Sequence, residues 1–304
     1  MKKIYDMIVI GGGPGGYTAA LYGARAGLSV MVLEKLSAGG QMALTENIEN
    51  YPGFEEGIDG FSLGEKMQQQ AERFGAETEL AEVLSAKLES EVKELETSEG
   101  QFLGRTVVIA TGANAKKLGL SNEESLVGRG VNYCAACDGM RYKGKTVAIV
   151  GGGNSAVADA LVLSRIAEKV ILIHRRDTLR ATKVYHKALE NASNVEFRWN
   201  STVTELLHDG TFRGVKVQDV NTAEESRISC DGIFVSIGRS PASSLFENQL
   251  ELDSAGYIVA DSLTRTSLPG VYAVGDVRTT PLRQVVTAVA DGALAAQQVE
   301  EYLL

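Results

Sequence analysis

The chain has 304 residues, a formal net charge of −9, 44% apolar and 23% charged residues, and three cysteines. The acidic balance argues against nucleic acid, which selects a basic face, and no apolar run approaches the ~18 residues of a membrane span. Three cysteines in a chain this long make no disulfide framework; they point to a reducing, cytoplasmic setting, where a close Cys pair is catalytic or metal-binding.

The N-terminal lysines could open a secretory signal, but Asp6 and the glycines from Gly11 leave no apolar core before a cleavage site. Ile4–Ile10 reads as a short apolar strand, Tyr17–Ala26 as a helix ended by Gly27, and Ser29–Leu33 as a second strand. Between the first strand and the helix, Gly11, Gly13 and Gly16 fit G-x-G-x-x-G. The first glycine makes the tight turn, the second admits a pyrophosphate, and the third lets helix and strand pack closely. The helix N-terminus adds unpaired N–H groups and positive dipole. Glu34 closes the second strand, where an acid accepts hydrogen bonds from ribose hydroxyls and repels a 2′-phosphate. Loops around Pro52 and Gly53, a helix near Phe61–Phe74 and β-rich sequence to Gly112 follow.

Cys134-Ala-Ala-Cys137-Asp138-Gly139 comes next. A metal site needs about four ligands. The third cysteine, Cys230, falls inside an apolar strand expected at Ile228–Val235, and the three histidines are scattered, so no metal is expected and a redox dithiol is the better reading. Cys-x-x-Cys at a helix start brings the sulfurs within bonding reach and lowers one thiol's pKa. Asp138 could exchange the proton that dithiol–disulfide interchange requires, or could simply match the helix N-terminal charge.

The first module then repeats. Val147–Val150 reads as a strand, a helix runs to about Ala167, and Val170–Ile173 is a second strand. Gly11 and Gly151, and Glu34 and His174, stand at one constant offset. Gly151, Gly153 and Ala156 fit G-x-G-x-x-A, but the strand ends in His174-Arg175-Arg176, with Arg180 a turn later. Guanidinium forks invite the 2′-phosphate that Glu34 would exclude. At roughly 1.5–3 kcal/mol per charge-assisted bond, each good contact favours NADPH over NADH by roughly ten- to a hundredfold.

Ser240–Leu304 carries no glycine fingerprint, and offers strands near Tyr257–Ala260 and Val271–Val274, then a long helix from about Pro281. Gly275-Asp276 ends the second of these strands, where a carboxylate could bond a flavin's ribityl hydroxyls or could cap the helix. The fold class read from these elements is α/β, with two Rossmann-like dinucleotide-binding domains, for FAD and NAD(P)H, of three-layer ββα type. The tail returns to complete the first domain. The expected boundaries are 1–115 with 243–304 for FAD, and 116–242 for NADPH and the Cys pair. Two crossings between domains make a hinge.

With GGGPGG and Glu34, AGGQM at 38–42, IENYPGF at 48–54, VVIATGA at 107–113, CAACDG at 134–139, GGGNSA at 151–156, HRRDTLRA at 174–181, and VYAVGDVR with RQ at 283–284, the chain closely resembles the low-molecular-weight, bacterial-type thioredoxin reductases. The matching stretches span nearly the whole chain in family order. The resemblance implies a homodimer that passes electrons from NADPH through FAD to Cys134–Cys137 and on to thioredoxin. It implies FAD contacts at Glu34, Gln41, Asn50, Asp276 and Gln284, with Pro14, Lys35, Gly40, Val83, Thr111, Gly112 and Arg283 in the same cofactor-binding set. Asn154, Ser155 and Gly238 join the second glycine turn and the arginines in the nicotinamide nucleotide set. Cys137 would face the flavin, Cys134 would attack thioredoxin, and Asp138 would be the general acid. The family is also expected to rotate one domain against the other. Ala158-Asp159 depart from the usual acidic Glu pair, and CAAC from the commoner CATC. Rival readings are a reductase for a glutaredoxin-like or peroxidase-system partner, a ferredoxin-fed reductase, which would not need Arg175 and Arg176, a ferredoxin–NADP reductase, which would lack the Cys pair, and a flavin-bound redox sensor that turns over nothing.

Overall fold

The computed structural model describes residues 3–45 and 47–304. By its internal contacts the chain falls into two units, Met1–Asn114 with Ser240–Leu304, and Ala115–Arg239.

The first unit opens with β1 (Ile4–Ile10), whose last four residues are all buried. A strand covered on both faces reads as a continuous apolar run rather than an alternating one. Gly11 turns the chain at a φ of +103°, where an added Cβ would lie 2.5 Å from the Ala110 carbonyl oxygen. Helix α1 (Pro14–Arg25) starts with proline in its first turn and buries small residues, among them Gly15, Gly16, Ala19 and Ala20. Strand β2 (Val30–Glu34) is wholly buried. Helix α2 (Gly60–Arg73) is capped by Asp59, whose carboxylate accepts from the Ser62 N–H at 2.8 Å. Strands β3 (Glu77–Leu80), β4 (Val83–Lys87), β5 (Lys93–Thr97) and β6 (Gly100–Ile109) follow, then the short β7 (Ala113–Ala115).

The second unit begins with β8 (Val131–Asn132) and a four-residue helix, α3 (Ala135–Asp138). It continues with β9 (Thr146–Val150), α4 (Asn154–Ser164), β10 (Lys169–Ile173), α5 (Lys183–Glu190) and β11 (Val195–Arg198). The hairpin strands β12 (Ser201–His208), β13 (Phe212–Asp219) and β14 (Glu225–Ser229) precede β15 (Gly232–Val235) and the short β16 (Arg239–Pro241). The chain then returns to the first unit with β17 (Val271–Ala273) and the 19-residue α6 (Val285–Leu303).

Seven strands make the sheet of the first unit, in the order β3-β2-β1-β6-β5-β4, with β17 also on β6. Strand β6 belongs to two layers. Its first half pairs antiparallel with β5 (Gly100 opposite Thr97), and its second half pairs parallel with β1 and β17 (Val107 with Ile8 and Val271). The second unit pairs a parallel sheet, β11-β10-β9-β15-β8, with a separate antiparallel sheet, β12-β13-β14. Each unit therefore stacks helices, a parallel sheet and an antiparallel layer, the two-domain Rossmann-like arrangement expected. The two crossing segments, β7 and β16, pair as a ribbon.

Three expected elements differ. Tyr257–Ala260 is not a strand: only Ile258 bridges, to Leu252 and Arg278, because the Asp253 carboxylate accepts from the Ala255 and Tyr257 N–H groups and holds a turn. The apolar run Ile228–Val235 is divided between two sheets, with Cys230 and Asp231 as the step between β14 and β15. The last helix starts at Val285, past Pro281, on a capping box between Gln284 and Thr287.

Helix α6 lies close on α1 because both are built from small residues. A Cβ on Gly292 would overlap the Gly15 carbonyl oxygen and lie 2.9 Å from the Ala19 nitrogen. Gly292→Ala must push the helices apart, so it should lower unfolding stability by about 1–3 kcal/mol in urea titration, despite alanine's better helix propensity. An unchanged or raised midpoint would show that the crossing has slack.

Candidate cofactor and dithiol sites

In the first unit the glycine turn and the end of β2 form one surface. A Cβ on Gly16 would overlap the Gly11 carbonyl oxygen, so only glycine lets α1 sit this close to β1. Gly13 has nothing within 4 Å of its Cβ position, and as N-cap of α1 it offers no side-chain cap to the first N–H groups. Open backbone at an uncapped helix start is the donor set a pyrophosphate requires. Glu34, 9% exposed, accepts from the Gly12 N–H at 2.5 Å and from the Leu36 N–H at 3.0 Å. Gly12 in turn accepts from the Gly39 N–H at 2.8 Å, which draws the 38–41 loop onto the turn, and Gly40 adopts a φ of +54° beside Gly13.

The remaining expected contacts of this unit surround that surface unevenly. The Gln41 amide donates to the Asn114 side chain at 3.1 Å, and Asn50 donates to Gln284, the N-cap of α6, at 2.9 Å. Thr111 donates to the Ala242 carbonyl at 2.7 Å and Gly112 accepts from the Ala242 N–H. Asp276 lies in a turn at Gly275–Val277, well before α6, so it does not cap that helix; Gln284 does. Arg283 stacks on Tyr257, 4.0 Å from the ring centroid, and donates to the Asp276 carbonyl at 3.5 Å. Lys35 pairs at the surface with Glu82, next to Val83, which starts β4 buried.

The second unit repeats the turn with other chemistry. A Cβ on Gly151 would overlap the Ser236 carbonyl oxygen and crowd Ala156, while Gly153, the N-cap of α4, is open. Asn154 and Ser155 open the helix exposed, and the Asn154 amide oxygen accepts from the Thr182 N–H at 2.8 Å. His174 replaces Glu34 in kind and in packing. It is 4% exposed, and its ring fills the space a Cβ on Gly152 would take. Burial and then the nearby Arg180 hold its pKa below the ordinary histidine value, so the ring is neutral at neutral pH. Its Nε2 is buried without a partner among the described residues. Arg180 and Ala181 both donate their N–H groups to the Gly152 carbonyl, at 2.7 and 3.1 Å, tying the arginine loop to the glycine turn. Arg175, Arg176 and Arg180 are exposed, and none has a carboxylate in ion-pair reach among the described residues. Gly238 accepts from the Lys116 N–H at 3.0 Å, beyond the end of β15.

Cys134 and Cys137 are disulfide-bonded and partly exposed. Cys134 is the N-cap of α3: its sulfur accepts from the Cys137 N–H at 3.2 Å, and its carbonyl from the Asp138 N–H at 3.0 Å. An N–H aimed at a sulfur favours its thiolate. Asp138 ends the helix half-buried, immediately after the pair. Gly139 then packs on Leu163 and Ile166, which seats the segment against the end of α4. Cys230 is 7% exposed and its thiol is pushed up to about 12 by burial, which leaves it inert. Among the described residues no three His, Cys, Asp or Glu side chains converge on a metal position.

Two buried contacts were not foreseen from sequence. On α4, Asp159 accepts from the Ser236 hydroxyl at 2.5 Å and its pKa is raised by burial. In the first unit Arg278, 7% exposed, pairs with Asp291 of α6 at 3.2 Å and donates to the Ala260 and Asp261 carbonyls at 3.2 and 2.6 Å. The second Asp291 oxygen accepts from the Gly275 N–H at 3.0 Å. That pair fixes the Gly275–Val277 turn and hence Asp276. The signal lay in a lone aspartate within the small-residue run Val289-Ala290-Asp291-Gly292-Ala293, but its partner is 13 positions away (291 − 278) with no helical relation to it.

The model of the pyridine nucleotide-disulphide oxidoreductase family matches residues 5–292. The thioredoxin reductase of Bacillus subtilis is 45% identical over 306 residues, covering 99% of this chain and 96% of that protein. The thioredoxin reductase of Listeria monocytogenes is 44% identical over 303 residues, 99% of this chain and 95% of that one. Among solved structures, the thioredoxin reductase of Streptococcus pyogenes superposes with a TM-score of 0.92 at 40% identity, covering 99% and 98% of the two chains. That of Giardia duodenalis does so with a TM-score of 0.92 at 34% identity, covering 99% of each.

Removing one partner of a buried ion pair leaves the other charge uncompensated. Arg278→Met should therefore cost about 3 kcal/mol, read from urea unfolding, and the added change Asp291→Leu should restore much of it. A single variant as stable as wild type would show the pair to be solvated.

Proposed function

We propose a division of labour among these residues that starts from family membership: the chain belongs to the thioredoxin reductases of the pyridine nucleotide-disulphide oxidoreductase family. It is a flavoprotein oxidoreductase that uses a pyridine nucleotide to reduce a disulfide. We assign FAD to the first unit, NADPH to the second, and thioredoxin as the disulfide substrate. One observation carries the assignment. Two glycine turns of the same build end in opposite charge at the same register, Glu34 in one and His174-Arg175-Arg176 in the other, and a Cys-capped helix follows the first and precedes the second.

The donor sets fit the two groups. The uncapped N-terminus of α1 would hold a pyrophosphate, Glu34 a ribose, and Asp276, Arg283 and Gln284 the flavin end. The uncapped N-terminus of α4 would hold the second pyrophosphate, with Arg175, Arg176 and Arg180 on a 2′-phosphate. Bound flavin would take two electrons from reduced nicotinamide and release them to the Cys134–Cys137 bond. Two electrons and two protons open that bond to two thiols, and Asp138 is placed to exchange one of the protons. The Cys134 thiolate attacks one sulfur of thioredoxin's disulfide and expels the other, which takes up a proton. Cys137 then attacks Cys134 Sγ, releasing reduced thioredoxin and re-forming the pair. The chain crosses between the units in β7 and β16, so a rotation of one unit against the other would turn on that ribbon. No helix among the described residues is long and apolar enough to cross a membrane. A cytoplasmic homodimer completes the reading.

The deciding measurement is NADPH oxidation by the purified yellow protein with thioredoxin and a dithiol reporter. Turnover should require thioredoxin and vanish in Cys134→Ser. Flavin bleaching by NADPH without thioredoxin turnover would move the acceptor to another protein disulfide. In the double variant Arg175→Gln, Arg176→Gln, the ratio of kcat/KM for NADPH to that for NADH should fall roughly ten- to a hundredfold, almost wholly through NADPH. An unchanged ratio would sink the 2′-phosphate assignment.

A further inference from the structure

The segment that carries the redox pair is short of ordinary support. Strand β8 has two residues and α3 has four, and β8 pairs with β15 only through Val131 and Asn132. Such elements do not fix a backbone by their own hydrogen bonds. Two buried polar contacts do it instead. Asn132, 2% exposed, donates to the Tyr142 hydroxyl at 2.8 Å, which joins the start of the segment to its end. Tyr133, the residue before Cys134, donates its hydroxyl to Glu123 at 2.7 Å.

Glu123 is the anchor. It is 2% exposed, and each of its oxygens is engaged. One accepts from Tyr133 and from the Leu118 N–H at 2.8 Å; the other accepts from the Gly119 and Leu120 N–H groups at 2.8 and 3.3 Å. A buried carboxylate with four donors is rigid, because any departure strands a charge away from water. Tyr133 also packs with Leu118 and Leu120 against the core that contains Leu126 and Val131. The phenol is therefore clamped at its ring and at its hydroxyl. The Cys134 backbone follows directly, and Cys134 is the cap whose sulfur receives the Cys137 N–H.

We propose that the Tyr133–Glu123 hydrogen bond is a positioning contact that holds Cys134 in the capping geometry of the disulfide form, and so sets how readily the pair is reduced. This rests on the redox reading of Cys134–Cys137. When the bond opens, two sulfurs that shared a bond must separate. A backbone clamped beside one of them resists that separation, which favours the disulfide. Loosening the clamp lets the dithiol relax and shifts the equilibrium toward it. The hydroxyl, not the ring, carries the effect, so Tyr133→Phe keeps the packing and removes the clamp. Glu123→Gln keeps an acceptor for Tyr133 but gives up the charge that makes the bond strong.

The test equilibrates the purified holo-protein in buffers of reduced and oxidised dithiothreitol and counts free thiols by alkylation. In each exchange the reductant's two thiols close to its cyclic disulfide as Cys134–Cys137 opens to two thiols. Tyr133→Phe should shift the dithiol-to-disulfide ratio about tenfold toward dithiol, equivalent to about 30 mV. Glu123→Gln should shift it the same way by less, and the double variant no further than Tyr133→Phe alone. Thermal unfolding of each variant in both redox states provides the control. A clamp specific to the disulfide form predicts that Tyr133→Phe destabilises the oxidised protein more than the reduced one. Equal destabilisation of both states with an unmoved thiol equilibrium would overturn the proposal and leave Tyr133 a packing residue. A wild-type pair that never equilibrates with the buffer would overturn the redox reading itself, and this proposal with it.

Discussion

Everything in this chain depends on how closely a helix can approach the strand before it. In the first unit the Gly11 carbonyl oxygen occupies the place where a side chain at Gly16 would begin; in the second, the Gly151 turn is crowded by Ser236 and Ala156. That contact aims the start of α1 and of α4 at the carboxyl end of a parallel strand. The first-turn N–H groups then face outward with no side chain to satisfy them. A helix end in that condition is a place for a phosphate. The chemistry of the next strand's last residue decides which nucleotide suits it. Glu34 turns its carboxylate into the glycine turn, and His174 lays a neutral ring on it and leaves the charge to the arginines behind.

Buried acids do a second kind of work. Glu34, Glu123, Asp159 and Asp291 each sit at or near the protein interior, and each is satisfied by backbone N–H groups, a hydroxyl or an arginine. A carboxylate away from water is costly unless its oxygens are filled, so the groups that fill it lose their freedom. Here those groups are the glycine turn at Gly12, the loop before the dithiol, the hydroxyl at the end of β15, and the turn that carries Asp276. The fold thus uses acids as fasteners at the points where regular secondary structure runs out.

The dithiol shows the same economy at small scale. Cys-x-x-Cys needs a helix start, but a four-residue helix cannot hold itself. Gly139 lets it press on α4, Asn132 bonds across the segment to Tyr142, and the Cys134 sulfur receives the N–H of its own partner. The third cysteine shares none of this. Cys230 lies in the step between two sheets, with its thiol deprotonation suppressed by burial.

The sequence by itself determined the two β-α-β modules, the place of the glycines, the contrast between Glu34 and His174-Arg175-Arg176, and the Cys pair between them. These are local: glycine is required where the backbone crowds itself, and the residue closing the second strand is set by strand length. Sequence also marked Val271–Val274 as a strand, because a short apolar run bounded by glycines needs no distant partner to be seen. The tertiary structure alone decided what depends on remote neighbours. The apolar run Ile228–Val235 looked like one strand, yet its two ends join different sheets, and only the sheet partners could say where it breaks. Tyr257–Ala260 had strand composition but lost its ladder to the turn on Asp253. Asp276 was ambiguous between a cap and a ligand until α6 was seen to begin at Gln284. Arg278 with Asp291, and Tyr133 with Glu123, were invisible for the same physical reason: a polar pair carries no periodicity, and its members meet only because burial leaves each of them no water to turn to.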